Sequence, residues 1–269
     1  MDTAVFRLEG VTKRYGDLVA LDNATLEVGA NEYISFLGPS GSGKTTLLRV
    51  IAGFEAPESG RVHFEGRDIT NVPAHERGIG FVFQNFALFP HLTVIQNVGF
   101  GLTHGKSGLS AAEVERRAVE MINLVGLSGM EGRGVDQISG GQRQRVALAR
   151  TLAMKPKLVL LDEPLGALDA NLRSRMRNEL RAIRERLGVT FLHVTGSETE
   201  ALAMGDRVVV LDSGKIIQTG TPGDIYDNPA SPDVAHFLNR FNLFDGTLSK
   251  GTFSGAFGTV ASAKASSAS

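Results

Sequence analysis

The chain has 269 residues, 42% hydrophobic and 21% charged, a composition that argues against a disordered protein and suits one large α/β unit with a small appendage. Its 28 Lys and Arg against 29 Asp and Glu leave a net charge of -1, which gives no drive toward phosphate backbones, so no nucleic-acid partner is expected. Without cysteine there is no disulfide framework, thiolate nucleophile or cysteine metal site, and a reducing compartment suits the chain.

The opening MDTAVFRLEG has neither the basic start nor the apolar core of a signal peptide, and no run approaches the roughly 20 apolar residues that cross a bilayer. FRLEGVTKRYG, ATLEVGANEYISFL and RVHFEGRDIT are short β-prone runs punctuated by glycine and asparagine. They predict a small antiparallel sheet beside the main one. YISFL then leads into GPSGSGKTT, where Gly38, Gly43, Lys44 and Thr45 satisfy G-x-x-x-x-G-K-[ST] between a strand and a helix that stops before Gly53. In such a loop the glycines turn backbone N–H groups onto phosphate oxygens and Lys44 reaches the β- and γ-phosphates. Thr45 takes a place on Mg²⁺, and the helix N-terminus adds positive partial charge. The expected ligand is a nucleoside triphosphate with Mg²⁺.

From about 88 to 155 the pattern is helical. Ser110 and Glu113 have capping-box spacing, and Val114, Ala118, Met121, Ile122 and Val125 share one helix face. In ISGGQRQRVALAR, Ser139 is an N-cap while Gly140 and Gly141 expose backbone donors at a helix start, a second phosphate-shaped loop; a simple cap accounts for Ser139 but not for the glycines followed by Gln142. KLVLLDEP reads as a strand buried on both faces that ends in two acids: Asp162 to hold Mg²⁺, Glu163 to position and polarise an attacking water. Residues 169 to 187 form an amphipathic helix with Leu172, Met176, Leu180, Ile183 and Leu187 inward. Arg173, Arg177, Arg181 and Arg184 are expected on a solvated face. VTFLHVT, a helix and DRVVVLD complete an α/β alternation with a mostly parallel sheet, and ASAKASSAS has the composition of a mobile tail.

In this order the motifs resemble the ATP-binding cassette (ABC) family over about residues 4 to 235. Tyr15 matches its adenine-stacking aromatic; Gly38, Pro39, Ser40, Gly41, Ser42, Gly43, Lys44, Thr45 and Thr46 its Walker A loop; Gln84 of FVFQNFALFP its Q-loop. Ser139, Gly140, Gly141 and Gln142 match its signature, LVLLDEP its Walker B strand, and Ala167, Leu168 and Asp169 its D-loop. The resemblance implies a P-loop NTPase (RecA-like) core with a mostly parallel sheet, an antiparallel β subdomain and an α-helical subdomain. It also implies ATP and Mg²⁺ as ligands, Glu163, Lys44 and Gln84 as the catalytic set, and Thr45, Gln84 and Asp162 around the metal. Family members pair head to tail, so each ATP lies between one Walker A loop and the partner's signature, with Asp169 near the shared site. The run PAHERGIGFVFQNFALFPHLTVIQNVGFGL looks like importer ATPases that serve polyamines, oxyanions, iron or sugars. That implies transmembrane permease partners, indirectly a solute-binding protein, and a peripheral place on the cytoplasmic face of the inner membrane. There a coupling helix docks after the Q-loop, where Phe86, Leu88 and Phe89 either line the groove or pack in the core.

Two departures stand out. Where family members read VTHD, this chain has Val194, Thr195, Gly196 and Ser197, so the switch histidine is missing; His193 lies three residues back, on the opposite strand face. Ser197 and Glu200 keep capping-box spacing, so the backbone path is expected to survive. Losing one preorganised donor typically costs about 10²–10³ in rate, which makes a slowly hydrolysing, nucleotide-gated subunit the alternative to a competent ATPase. Beyond the cassette of residues 1–235, FNLFDGTLSKGTFSGAFGTV within 236–269 looks like the first strands of a regulatory β-barrel, and the sequence stops before such a barrel closes.

Overall fold

The computed structural model describes residues 4–105, 108–166, 168, 170–238, 244–256 and 258–261. Strands β1 (Phe6–Tyr15) and β2 (Leu18–Val28) form a long antiparallel hairpin, followed by β3 (Tyr33–Leu37) and helix α1 (Lys44–Ala52). After β4 (Ser59–Phe64), β5 (Arg67–Asp68) and β6 (Gly80–Val82) come three helices, α2 (Val94–His104), α3 (Ala111–Leu124) and α4 (Gly140–Ala153). The alternation β7 (Leu158–Asp162), α5 (Ala170–Leu187), β8 (Thr190–Val194), α6 (Glu198–Met204), β9 (Arg207–Asp212) follows. β10 (Lys215–Gly220), α7 (Pro222–Asp227), α8 (Pro232–Phe237), β11 (Gly246–Ser249), β12 (Thr252–Gly255) and β13 (Gly258–Ala261) end it.

The central sheet has the order β10-β9-β3-β8-β7-β6, parallel except for β10. Every residue of β3, β7 and β8 is buried, which is why these strands read as unbroken apolar runs rather than alternating ones. The antiparallel sheet β2-β1-β4-β5 covers one face: Phe6, Leu8, Leu26 and Val28 join Phe36, Leu48 and Leu192 in one cluster. A second cluster joins the three-helix region to the other side through Val98, Ile122, Val146, Leu161 and Phe191. The face expected on α3 is confirmed, with Ala118, Met121, Ile122 and Val125 buried and Val114 packed at its edge.

Capping boxes at Thr93–Gln96, Ser110–Glu113 and Ser139–Gln142 start α2, α3 and α4, each worth about 1 kcal/mol. The start of α6 differs from the spacing-based expectation. Ser197 accepts from the Glu200 N–H, but the Glu200 carboxylate turns inward and accepts from Thr195 Oγ1 at 2.8 Å, and Thr195 Oγ1 accepts the Ser197 N–H at 3.0 Å. The buried Glu200 carboxylate, beside Arg173, takes the Thr195 hydroxyl, and Thr195 serves the Ser197 amide in its place.

Helix α5 also departs from its pattern. Met176, Leu180 and Ile183 are buried and Leu172 packs against the same core, but Leu187 at the helix end is exposed. On the supposed solvated face, Arg173 donates to Leu168 O at 3.0 Å and lies 3.4 Å from Glu200, and Arg184 bonds Asp206 and donates to Asn31 O at 2.6 Å. Arg181 alone of the four is fully on the exposed face. The C-terminal strands β11–β12–β13 form a three-stranded antiparallel meander; the serine- and alanine-rich tail lies outside the described residues.

Candidate functional site

Strands β3, β7 and β8 run parallel in register, so their carboxyl ends open on one edge of the sheet, where α/β folds bind ligands. At that edge β3 passes into the glycine loop. Gly38 and Gly43 have φ of +157° and +100°, and a Cβ would stand 2.1 Å from Leu211 O at Gly38 and 2.3 Å from Ala20 O at Gly43. Only glycine lets the loop lie that close to β9 and β2. Gly43 caps α1 without a side-chain acceptor, leaving the first-turn N–H groups of the helix free to meet an anion. Lys44 Nζ curls across the loop, donating to Gly38 O at 2.8 Å, Pro39 O at 2.7 Å and Ser42 Oγ at 3.3 Å. Burial lowers the Lys44 pKa, against the opposing pull of Glu163 and Asp162. The loop forms one wall of a cleft of about 330 Å³ lined by Tyr15, Leu18, Ser40, Gly41, Thr45, Thr46 and Glu163 among others. Tyr15 is half exposed at its mouth, with the Lys13 ammonium 5.3 Å from the ring centroid.

Two pairs bring the acids of β7 to this cleft. Thr45 Oγ1 donates to Asp162 Oδ1 at 3.2 Å, and Gln84 Nε2 donates to Glu163 Oε2 at 3.0 Å. Burial raises the Asp162 pKa, opposed by the Thr45 hydrogen bond. Glu163 has φ of +45°, a left-handed conformation that costs a β-carbon-bearing residue on the order of 1–3 kcal/mol, and its N–H is held by Val194 O at 3.0 Å. That strain turns the carboxylate out of the strand line and into the cleft. Among the described residues no three His, Cys, Asp or Glu side chains cluster as metal ligands. The donor set of Thr45, Asp162 and Gln84 suits Mg²⁺, which takes one or two carboxylates and completes its shell with phosphate oxygens and water.

The second glycine loop lies apart, since none of the described residues lining the cleft comes from 139–142. Its local construction corrects the sequence argument. Ser139 Oγ accepts from Gln142 N while Gln142 Oε1 accepts from Ser139 N, so the cap accounts for Gln142 as well; Gly141 is explained by packing, because a Cβ there would stand 2.5 Å from Leu172 Cδ2. Gly140 is exposed and a Cβ on it would touch nothing. Ala167 and Asp169 lie outside the described residues; Leu168 between them is buried.

Residues 21–166 match the family model described as ABC transporter. The chain belongs to the ABC transporter family. It is 52% identical over 239 residues to the spermidine/putrescine import ATP-binding protein PotA of Acidothermus cellulolyticus, covering 89% of this chain and 62% of that one. It is 48% identical over 247 residues to the sulfate/thiosulfate import ATP-binding protein CysA of Bacillus cereus, covering 91% and 69%. This ABC chain thus spans less than two thirds of the first relative's length. Among solved structures, the dimeric post-hydrolysis state of the ATP-binding cassette MJ0796 bound to ADP and Pi superposes with a TM-score of 0.72 at 33% identity, over 81% of this chain and 98% of that one. The architecture is therefore the ABC cassette form of the P-loop NTPase fold.

In this ABC cassette the carboxyl end of β8 is bare. Gly196 is exposed, and a Cβ built on it meets no heavy atom within 4 Å. His193 is fully buried, with its ring edge-on to Tyr33 at 5.9 Å, and neither ring nitrogen has a hydrogen-bond partner; Nε2 lies 3.9 Å from Glu200 Oε2. Burial lowers its pKa to about 3. It faces the interior, as strand periodicity predicts.

The three apolar residues after Gln84 pack in two places. Phe86 and Leu88 pack at the edge of the helical core, while Phe89 lies on Phe100 with centroids 4.1 Å apart. Phe100 in turn lines a groove of about 670 Å³ between α2 and α3, with His91, Ile95, Leu109 and Val114. Sequence reading missed Arg150, whose guanidinium holds the Phe86 and Ala87 carbonyls, and the aromatic trio Phe54, Phe81 and Phe83, with centroids 4.4–5.7 Å apart. Local spacing carries no signal for either.

Proposed function

We propose that this chain is the ATP-binding and ATP-hydrolysing subunit of a solute importer. The observation that carries the reading is the meeting, at one sheet edge, of the Lys44 loop, the Thr45–Asp162 pair and the Gln84–Glu163 pair. First-turn N–H groups of α1 and Lys44 Nζ bind the phosphates, and the Tyr15 ring offers a face to the base. Thr45, Asp162 and Gln84 would hold Mg²⁺, which neutralises charge on the transferring phosphoryl group. Glu163 accepts the proton of a water whose oxygen bonds the γ-phosphorus as the bond to the β-bridging oxygen breaks, giving ADP and inorganic phosphate. Gln84 orients that carboxylate.

The open Gly140 edge, apart from the cleft, supports a head-to-tail pair in which a second ATP-binding subunit, with a second copy of this chain as the simplest case, supplies its signature and Asp169 to the nucleotide. The dimeric form of the similar cassette supports the same arrangement. The import ATP-binding relatives and the α2–α3 groove support a transmembrane permease partner whose coupling helix docks there, with a solute-binding protein further out and a peripheral place on the cytoplasmic face of the inner membrane. Among the described residues no helix is long and apolar enough to cross a membrane. The solutes named for the two relatives differ, and solute choice is assigned to the membrane and receptor subunits.

The bare Gly196 favours a second, finer reading: nucleotide binding and closure with slow turnover. The experiment for the main reading is equilibrium binding of labelled ATP with and without Mg²⁺, with sedimentation of the same samples. Tight Mg²⁺-dependent binding and ATP-driven dimers are expected. Gly140→Asp, which meets nothing inside the chain and suits a helix N-terminus, is expected to leave the fold intact and abolish the dimer. Absence of ATP binding sinks the reading.

A further inference from the structure

We propose that Arg150 is a positioning residue for hydrolysis: from the last turn of α4 it clamps the segment after Gln84 in the backbone shape that keeps the Gln84 amide on the Glu163 carboxylate. The inference rests on the reading of Gln84 and Glu163 as the hydrolytic pair.

Phe86 and Ala87 have φ of +64° and +44°, two successive left-handed residues with no glycine between them. Side-chain-bearing residues hold that shape only when their surroundings impose it. Here the imposing group is one guanidinium. Arg150 Nη1 donates to Ala87 O at 2.6 Å and Nη2 to Phe86 O at 2.9 Å, a forked, charge-assisted grip on two consecutive peptides, with the Arg150 guanidinium carbon 5.6 Å from the Phe89 ring centroid. The turn is closed upstream by Phe86 N donating to Phe83 O at 2.9 Å. Two residues before Phe86, Gln84 Nε2 meets Glu163 Oε2.

The neighbouring segments have their own ties. Thr151 Oγ1 donates to Phe81 O, which holds β6 to α4, and Asn97 binds both the N–H and the O of Phe89. Removing the guanidinium therefore releases the Phe86 and Ala87 carbonyls and loosens the turn between Gln84 and Leu88, while the apolar packing of Phe86 and Leu88 and both flanks stay in place. Ser139 caps the same helix and Gln142 lies in its first turn, so α4 links the signature to the Glu163 carboxylate through Arg150. A lysine cannot replace it, since a single ammonium lacks the planar fork that fixes two carbonyls at once.

The test compares wild type with Arg150→Met, Arg150→Lys, Gln84→Ala and the Arg150→Met/Gln84→Ala double variant in phosphate release under saturating MgATP. Amide exchange is followed over residues 80–92. Arg150→Met is expected to lower kcat by about 10–100-fold, the scale of a small misplacement of a reacting group. KM is expected to stay within about twofold, the loss then being one of chemistry rather than binding. Lysine should recover only part of the rate. In the Gln84→Ala background the methionine substitution should add little, because both act through one side chain. A well-folded Arg150→Met with wild-type kcat, or losses that multiply in the double variant, overturns the proposal. If wild type itself releases no phosphate, the hydrolytic reading has failed, and the clamp is then judged on exchange. Faster exchange confined to residues 84–88 upholds it, and unchanged exchange there refutes it.

Discussion

Strands β7 and β8 lie side by side with Asp162 opposite Val194, yet their carboxyl ends carry opposite endowments. β7 delivers two acids, each held by a partner from elsewhere: Asp162 by Thr45 and Glu163 by Gln84. β8 delivers Thr195, whose hydroxyl turns inward to Glu200, and then Gly196, which offers only its backbone. The two ends remain joined, since the Glu163 N–H donates to Val194 O. The contrast teaches that main-chain path and site chemistry are carried by different residues. Thr195, Ser197 and Glu200 steer the chain into α6 without help from position 196, so a side chain can vanish there at no cost to the fold.

Breaking the rich end has the largest expected effect. Glu163→Gln keeps the shape and the Gln84 neighbour but removes the proton acceptor. Turnover should fall by about 10²–10⁴-fold, the usual contribution of a general base, with MgATP affinity retained. Single-turnover phosphate release measures this, and a wild-type rate in the variant would show that chemistry does not occur at the end of β7.

Furnishing the bare end comes next. A Cβ at Gly196 meets nothing within 4 Å and the backbone there is not left-handed, so Gly196→His adds its β-carbon without strain. Restoring a preorganised donor should raise turnover by up to about 10²–10³-fold while leaving ATP affinity unchanged. If the rate does not move, the slow-turnover reading is wrong, and β8 contributes no side chain to hydrolysis in this chain.

What could be read from the sequence follows the same division. The glycine loop, the buried strand ending in Asp162 and Glu163, and the helix starts at Ser110 and Ser139 are written in spacings of a few residues, and periodicity recovers them. Arg150 meets Phe86 across 64 positions, and Arg184 meets Asn31 across 153. On α5, Arg173 and Arg184 have the spacing of a solvated stripe, and nothing within one helix turn announces that they fold back onto Leu168, Glu200, Asp206 and Asn31. The left-handed Glu163, Phe86 and Ala87 were equally hidden, because those residue types do not advertise positive φ. Glu200 shows the limit within a short motif: the cap spacing is right, but the carboxylate takes a buried hydroxyl and an arginine, and the Ser197 amide goes to Thr195 instead.

The smallest expected effect sharpens the contrast from inside β8. His193 is buried and neutral, with a folded pKa of about 3 against an ordinary 6.5, so between those values the unfolded chain binds a proton that the folded one refuses. Stability from this group is therefore fully present above about pH 6.5. It is lost as pH falls toward about 3, at up to ~1.4 kcal/mol per pH unit. Phenylalanine has a similar shape and no nitrogens to leave unpaired beside Tyr33. His193→Phe should gain about 1–3 kcal/mol at neutral pH and lose less on acidification, with Glu200 and Tyr33 common to both proteins so that the difference isolates the imidazole. Denaturant midpoints at pH 7.5 and pH 5 measure it. Turnover should be untouched; a variant that hydrolyses more slowly would mean that His193 acts on the nucleotide after all, and the bare end of β8 would have a concealed donor.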